Sequence, residues 1–330
     1  MNEPVPRLTR RSAIAAPLGL ALAARVAVAQ MPAAPSPLSP ERLRLWPGEP
    51  PGGRDGPALV PTRSPEGFLR GIAVPELAVY RPATPNGAAA LIAPGGGYGF
   101  VSAIGEGSEQ AAWLTRLGVT AFVLHYRLPG EGWRDRRDVP LQDAQRAARL
   151  IRARASDYRI DPDGLLAIGF SAGGHVMGSL ATRHTERIYD PVDATERLSA
   201  RPAAAALIYP VITFGPQHSH GGSRDNLLGT GIDAATIARY SIDSRVGSDT
   251  PPVFLMQTND DATVPVENSI IMWQAMRAAR RTCDLHLFAR GGHGFGVRLP
   301  ADNPASSWPR LLADFARAQG VFPARAVPLR

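Results

Sequence analysis

The sequence predicts an α/β chain, a mostly parallel sheet with helices on both faces, and three observations carry that prediction. Apolar runs at 88–93, 119–124, 165–170, 203–209 and 253–257 are short enough for strands and almost unbroken, the mark of strands covered on both sides. Stretches with helical spacing of apolar residues lie between most of them. No internal repeat recurs, so the alternation is that of strand and helix within one sheet.

In order along the chain, residues 1–29 read as an export signal. Arg7 to Arg11 is a basic region containing Thr9-Arg10-Arg11-Ser12, close to a twin-arginine pattern. Ala13 to Ala24 is a mildly apolar run too short to span a bilayer, and Ala27-Val28-Ala29 supplies a small-residue cleavage site before Gln30. The mature form is thus expected to be periplasmic or secreted, without a membrane segment. Residues 30–65 are rich in proline and glycine and predict an extended strap or linker, packed on the domain through Leu43, Leu45 and Trp46. The domain itself is expected over 66–330. Regular structure is expected to begin with a strand at 77–80, followed by the strand at 88–93. A helix over 107–117 buries Ala111, Trp113, Leu114 and Leu117, and the strand 119–124 follows. The helix 139–155 buries Leu141, Ala144, Ala148 and Ile151 and turns its arginines to water. After the strand 165–170, a helix begins near Val176, and 203–209 is again a strand. Residues 211–249 break the rhythm with Gly, His, Ser and Asp and one helix candidate at 234–240, which predicts a small cap segment. The strand 253–257, helix 266–279, strand 284–288 and helix 308–318 complete the alternation.

Composition narrows the chemistry. A chain of 330 residues, 44% of them apolar, has room for one large α/β domain or two small ones, and nothing in the middle reads as a linker, so one is expected. All 36 basic residues are arginine. Without lysine there is no Ser-Lys dyad, no Schiff-base lysine and no Walker-type phosphate lysine. The net charge of +7 is spread over scattered arginines rather than massed with aromatics, which gives nucleic-acid binding no support. Cys283 is the one cysteine, so neither an intramolecular disulfide nor a cysteine metal site is available.

In a parallel sheet the functional residues gather in loops at the carboxyl ends of the strands. The strand 165–170 runs into Gly169-Phe170-Ser171-Ala172-Gly173 and then into a helix, the setting in which Gly-x-Ser-x-Gly is a nucleophile elbow. After 253–257 come Asp260 and Asp261, and after 284–288 comes His293 between glycines. Serine needs a base to take its proton, histidine titrates near neutrality, and a carboxylate fixes the histidine tautomer. The reading is therefore Ser171 as nucleophile, His293 as base and Asp261 as acid, with Asp260 the alternative acid. Pro94-Gly95-Gly96-Gly97-Tyr98 follows 88–93; the N–H groups of Gly96, Gly97 and Ala172 are the candidate oxyanion hole. Tyr98, Ser223 and Asn226 are candidate substrate contacts, with Arg224 a further polar residue in the cap. His218 and His220 form a His-x-His with no evident third ligand, so no metal and no cofactor is expected. His175 and His125 read as packing residues, and His184 and His286 as surface or strand positions.

These stretches, with Tyr126-Arg127-Leu128-Pro129, Gly174-His175, Val264-Pro265-Val266-Glu267-Asn268-Ser269 and Gly294-Phe295-Gly296, resemble the α/β-hydrolase superfamily. The resemblance spans about residues 77–296 and is nearest to bacterial esterases of the acetylxylan-esterase-like and dienelactone-hydrolase-like kinds. It implies an α/β-hydrolase fold and a serine esterase acting on short acyl groups, such as acetate on xylan, through an acyl-enzyme. The partner is then a small-molecule or polysaccharide ester. Pro94 stands where many lipase-like relatives carry histidine, and Ser171 stands where dienelactone hydrolases use cysteine, which argues against enol-lactone chemistry. The competing readings are a peptidase of the prolyl-oligopeptidase kind, which usually brings a large extra domain, and an inactive hydrolase fold used for binding.

Overall fold

The computed structural model describes residues 40–324; the expected export signal and the first part of the strap lie outside the described residues. All described residues belong to one compact unit. In chain order its elements are β1 (Glu41–Arg44), β2 (Thr62–Arg63), β3 (Phe68–Arg70), β4 (Glu76–Tyr80), β5 (Ala89–Ala93) and β6 (Val101–Ser102). Next come α1 (Glu109–Arg116), β7 (Thr120–His125), α2 (Val139–Ala153), α3 (Ala155–Tyr158), β8 (Leu165–Phe170), α4 (Ala172–Arg183) and β9 (Ala204–Ile208). The remainder is α5 (Gly221–Leu228), α6 (Ala234–Tyr240), β10 (Val253–Thr258), α7 (Glu267–Ala278), β11 (Cys283–Phe288) and α8 (Trp308–Ala318).

Eight strands form the main sheet in the order β1-β4-β7-β5-β8-β9-β10-β11. The six from β7 to β11 are parallel, while β4 and β1 add on antiparallel at one edge. Period-two alternation divides each central strand between two cores. β8 sends Leu165 and Ala167 to one face, packed against Leu141 and Ala148 of α2 and Met177 and Leu180 of α4. Leu166, Ile168 and Phe170 go to the other face, against Leu114 of α1 and Trp308, Leu312 and Phe315 of α8. Burial on both faces explains why these strands read as unbroken apolar runs.

Four features depart from the sequence expectations, the smallest being Leu117, which was expected to be buried and is exposed just past the end of α1. The strap contributes β1, which pairs with β4 in register Glu41 with Val79, so sheet structure begins well before residue 77. Leu43, Leu45 and Trp46 are buried, and the Trp46 indole N–H donates to Asp143 Oδ1 at 2.8 Å. The arginines of α2 do not all face water: Arg146 is buried, paired with Asp193 and Glu196 and donating to Leu45 O. A guanidinium is tolerated there because each charge-bearing nitrogen has an oxygen partner. Finally, β2, β3 and β6 form a small antiparallel sheet that apolar patterning did not announce, since these strands are two or three residues long. The 211–249 segment packs through Phe214, Leu227, Leu228 and Ile242 into the main core.

Candidate active site

Ser171 caps the start of α4 at φ 53°, ψ −121°, outside the regions open to most side chains. Such a conformation costs on the order of 1–3 kcal/mol and persists only where its surroundings enforce it. Here the enforcement is close packing of backbone. A Cβ on Gly169 would come within 2.2 Å of Gly173 O, and one on Gly173 within 2.1 Å of Ala93 O. The strand, the turn and the helix are thus pressed together at the two glycines, and the serine hydroxyl is turned out of the sheet.

The Ser171 Oγ lies 2.9 Å from His293 Nε2, and His293 Nδ1 lies 2.7 Å from Asp261 Oδ2. The Asp261 carboxylate is fully buried. Its other oxygen, Oδ1, accepts from the Thr263 and Val264 amides, both at 2.9 Å. A carboxylate can only accept, so His293 carries its proton on Nδ1 and leaves Nε2 open to the serine hydroxyl. Asp260 does different work. Its carboxylate accepts from the Gly291 and Gly292 amides and orders the turn leading into His293. Those two amides, Gly292 foremost, hold the Asp260 carboxyl below the usual range.

Beside the serine, the N–H groups of Gly96, Gly97 and Ala172 make no hydrogen bond to any described residue. Their loop is nonetheless braced from several sides. The Gly99 and Phe100 amides turn back onto Gly96 O, the Tyr126 hydroxyl donates to Pro94 O at 2.9 Å, and Asn226 Nδ2 donates to Gly97 O at 2.8 Å. Glu106, in a π-helical turn at Ile104–Ser108, accepts from Gly95 N at 2.7 Å. Its second oxygen accepts from the Tyr209 hydroxyl at 2.8 Å, and that hydroxyl accepts from Gly296 N at 3.0 Å. Burial raises the Glu106 pKa against these donors. The Tyr209 ring also packs on His293 with centroids 4.8 Å apart.

These groups open into a cleft of about 450 Å³. One wall is the small sheet and the loop before it, presenting Glu66, Phe68, Phe100 and Ser102, with the two phenylalanine rings 4.3 Å apart. Arg298 and His220 complete the mouth. Of the expected substrate contacts, Tyr98 is misplaced: it is buried under the loop, its hydroxyl 2.7 Å from His175 Nδ1. The positive φ of Tyr98, 62°, turns its side chain away from the cleft and into the core. Ser223 is likewise buried, bonded to His220, and Asn226 acts on the loop backbone. His218 lies 3.8 Å from Glu267, whereas His220 caps α5, so the pair does not converge on one point. His125 sits with Arg42 and Glu76 in a separate depression. His184 is not a surface residue; it is buried at the end of α4, its Nδ1 3.1 Å from Ala181 O. Sequence reasoning did not bring Glu106, Tyr209, Phe68, Phe100 or Arg298 to the site, and His220, singled out only as half of a His-x-His pair, lines the cleft. Tyr209 could have been found, because it follows β9 at the carboxyl edge of the sheet, where site residues collect. The others sit in loops and short strands with no periodic signal.

A family model described as BD-FAE matches residues 79–276. An acetylxylan esterase of Xylanibacter ruminicola is 35% identical over 225 residues, covering 67% of this chain and 44% of that protein. The endo-1,4-beta-xylanase B of Butyrivibrio fibrisolvens is 39% identical over 207 residues, covering 63% of this chain and 32% of that protein. The chain thus spans less than half the length of either. Among solved structures, an acetyl ester-xyloside bifunctional hydrolase from Caldicellulosiruptor lactoaceticus superposes with a TM-score of 0.74 at 32% identity, over 87% of this chain and 100% of that one. A carboxylesterase of Lactobacillus plantarum, 22% identical with a TM-score of 0.61 over 81% of this chain and 98% of its own, shares the fold. The chain belongs to the BD-FAE family and has the α/β-hydrolase fold.

Proposed function

We propose that this protein is a serine carboxylesterase that removes short acyl groups, acetate above all, from carbohydrate. The observation that carries the reading is the continuous chain from Asp261 through His293 to Ser171 Oγ, with unpaired amides beside the hydroxyl. In the proposed reaction His293 Nε2 takes the Ser171 proton as Oγ attacks the ester carbonyl. The tetrahedral oxyanion is held by the N–H groups of Gly96, Gly97 and Ala172, and the start of α4 adds its positive dipole end. His293 then gives the proton to the departing sugar hydroxyl, and Asp261 stabilises the imidazolium in between. Water, activated by the same histidine, releases the acid from the acyl-serine. The carbohydrate part of the reading is supported by the names of the relatives, an acetylxylan esterase, a xylanase and an acetyl ester-xyloside hydrolase. The twin-arginine segment completes the proposal, with the enzyme exported to where plant polysaccharide would be met.

A panel of acetyl, butyryl and octanoyl aryl esters together with acetylated xylan tests the reading. Turnover should be fastest with acetyl and should release acetate from xylan. Hydrolysis of peptides without hydrolysis of acetyl esters would overturn it. Export is tested by changing Arg10 and Arg11 together to glutamine, which should retain an uncleaved, active enzyme in the cytoplasm.

A further inference from the structure

We propose that His220 is a substrate-binding residue whose Nε2–H donates a hydrogen bond to an oxygen of the sugar beside the scissile ester. The proposal rests on the carbohydrate-esterase reading and adds to it the group that recognises the alcohol half of the substrate.

A histidine stands at the cap of α5. His220 precedes that helix, and its Nδ1 accepts from Ser223 N at 3.2 Å while lying 2.7 Å from Ser223 Oγ. A backbone N–H can only donate, so Nδ1 carries no proton in the neutral ring and the proton resides on Nε2. Burial, with His293 as the next contribution, holds the His220 pKa below its ordinary value, in keeping with a neutral ring. Short side chains such as Ser, Asp or Asn are the usual N-caps. Any of them would close this helix without reaching further, whereas the imidazole extends into the cleft beside Ser171, His293 and Thr263. Its Cε1 lies 3.8 Å from where a side chain on Gly97 would begin, and its Nε2 makes no hydrogen bond to any described residue. The cleft therefore receives one fixed donor with no internal partner.

The substrate's own chemistry says what that donor meets. In an acetyl ester the carbonyl oxygen goes to the three loop and helix amides, the bridging oxygen faces His293, and the acyl group offers only a methyl. The acceptors that remain are the sugar's own oxygens, and those beside the ester are the two hydroxyls that flank a 3-O-acetyl group, the ring oxygen lying across the ring. An Nε2–H cannot ligate a cation, and among the described residues no three His, Cys, Asp or Glu side chains gather to hold one.

His220→Asn tests the proposal, because asparagine keeps the cap and removes the ring. The substrates are methyl 3-O-acetyl-xyloside, its 2-deoxy and 4-deoxy analogues, each lacking one hydroxyl next to the ester, and 4-nitrophenyl acetate. The variant should lose about fivefold in kcat/KM on the xyloside, the worth of one neutral hydrogen bond, and less than about twofold on the aryl ester. Wild type should lose a similar factor on one deoxy analogue, and the variant should lose nothing more on it. Equal losses on xyloside and aryl ester would mean that His220 serves only the loop or the oxyanion, and would overturn the proposal. If the variant does not fold, the wild-type comparison decides alone, since indifference to both missing hydroxyls refutes it. Wild-type activity on the aryl ester with none on the xyloside would instead remove the substrate reading itself, and this proposal with it.

Discussion

Asp261→Asn replaces one oxygen by an amide nitrogen, and the structure dictates where that nitrogen must go. Oδ1 accepts from two backbone amides, Thr263 N and Val264 N, each at 2.9 Å. Turning the NH2 group toward them would set donor against donor twice in a buried turn. The amide oxygen therefore stays on the backbone, and Nδ2 takes the place of Oδ2, 2.7 Å from His293 Nδ1. Gln257 Nε2, 3.4 Å from the same position, is a donor too and offers no relief. Facing a donor, His293 keeps its lone pair on Nδ1 and carries its proton on Nε2. That nitrogen then cannot accept from Ser171 Oγ. Loss of the base through the wrong tautomer is worth about 10⁴ in kcat in the serine-protease template, and about 10³–10⁴, or roughly 4–5.5 kcal/mol in barrier, is expected here. The assay is kcat on 4-nitrophenyl acetate, normalised to folded protein by circular dichroism. Asp260→Asn is the control. Its Oδ1 takes both loop amides, at 2.9 and 2.8 Å, and an amide oxygen can do the same, so less than about a tenfold loss is expected. An Asp261→Asn enzyme within a tenth of the wild-type rate would refute the reasoning, as would equal losses in the two variants.

Ser171→Ala should abolish turnover by several orders of magnitude while leaving the circular dichroism spectrum unchanged, and a serine-directed organophosphonate should label the wild type once, at Ser171. Tyr209→Phe should lower the urea-unfolding free energy by about 1–3 kcal/mol, because the buried Gly296 N–H loses its acceptor and Glu106 a donor; an unchanged midpoint would mean that water replaces the hydroxyl. The last concerns acid stability. His175 donates from Nε2 to Tyr240 O and accepts at Nδ1 from Tyr98, and burial lowers its pKa from 6.5 to about 4. The unfolded ring takes up a proton below pH 6.5 and the folded ring only near 4, so unfolding binds a proton in between. The stabilisation is complete above pH 6.5 and falls as pH drops to 4, by up to about 3 kcal/mol, a slope that His175→Gln should flatten in urea titrations across that range.

The parts of this molecule legible in the sequence are those whose cause is local. The central strands were visible because burial on both faces demands unbroken apolar runs, and α8 because its buried residues recur at helical spacing. The elbow was visible because two close backbone approaches require glycine at 169 and 173. The choice of Asp261 over Asp260 was only a preference in the sequence, since adjacent carboxylates differ by the direction of a turn. Distance to His293 separates them in the structure. What was illegible depends on contacts far apart in the chain. Asp143 and Arg127 form a fully buried pair that also binds the strap through Trp46, 97 residues from Asp143. Arg146 reaches residues 47 and 50 positions away. Tyr98 carried a functional expectation because it follows three glycines, yet its direction is decided by a single positive φ.

Ser171 follows β8 directly, whereas the Gly96 and Gly97 amides and His293 are carried by two loops, and a shift of either loop would separate them from Oγ. One buried chain of groups ties the loops together across the serine: Gly95 N to Glu106, Glu106 to the Tyr209 hydroxyl, and Gly296 N to that same hydroxyl. Trp308 Nε1 adds a bond to Gly296 O at 2.9 Å, anchoring the histidine side to α8. Each link lies out of water, so breaking it leaves an unpaired polar group and the loops move only at that cost. Glu106 Oε2 and Ser171 Cβ both lie within 3 Å of where a Gly95 side chain would begin, 2.7 and 2.8 Å away. In the proposed reaction, a full negative charge at that place would oppose the oxyanion forming beside the neighbouring amides. The burial that locks the loops also raises the Glu106 pKa, favouring the uncharged carboxyl, so the same packing that fixes the geometry lessens the repulsion.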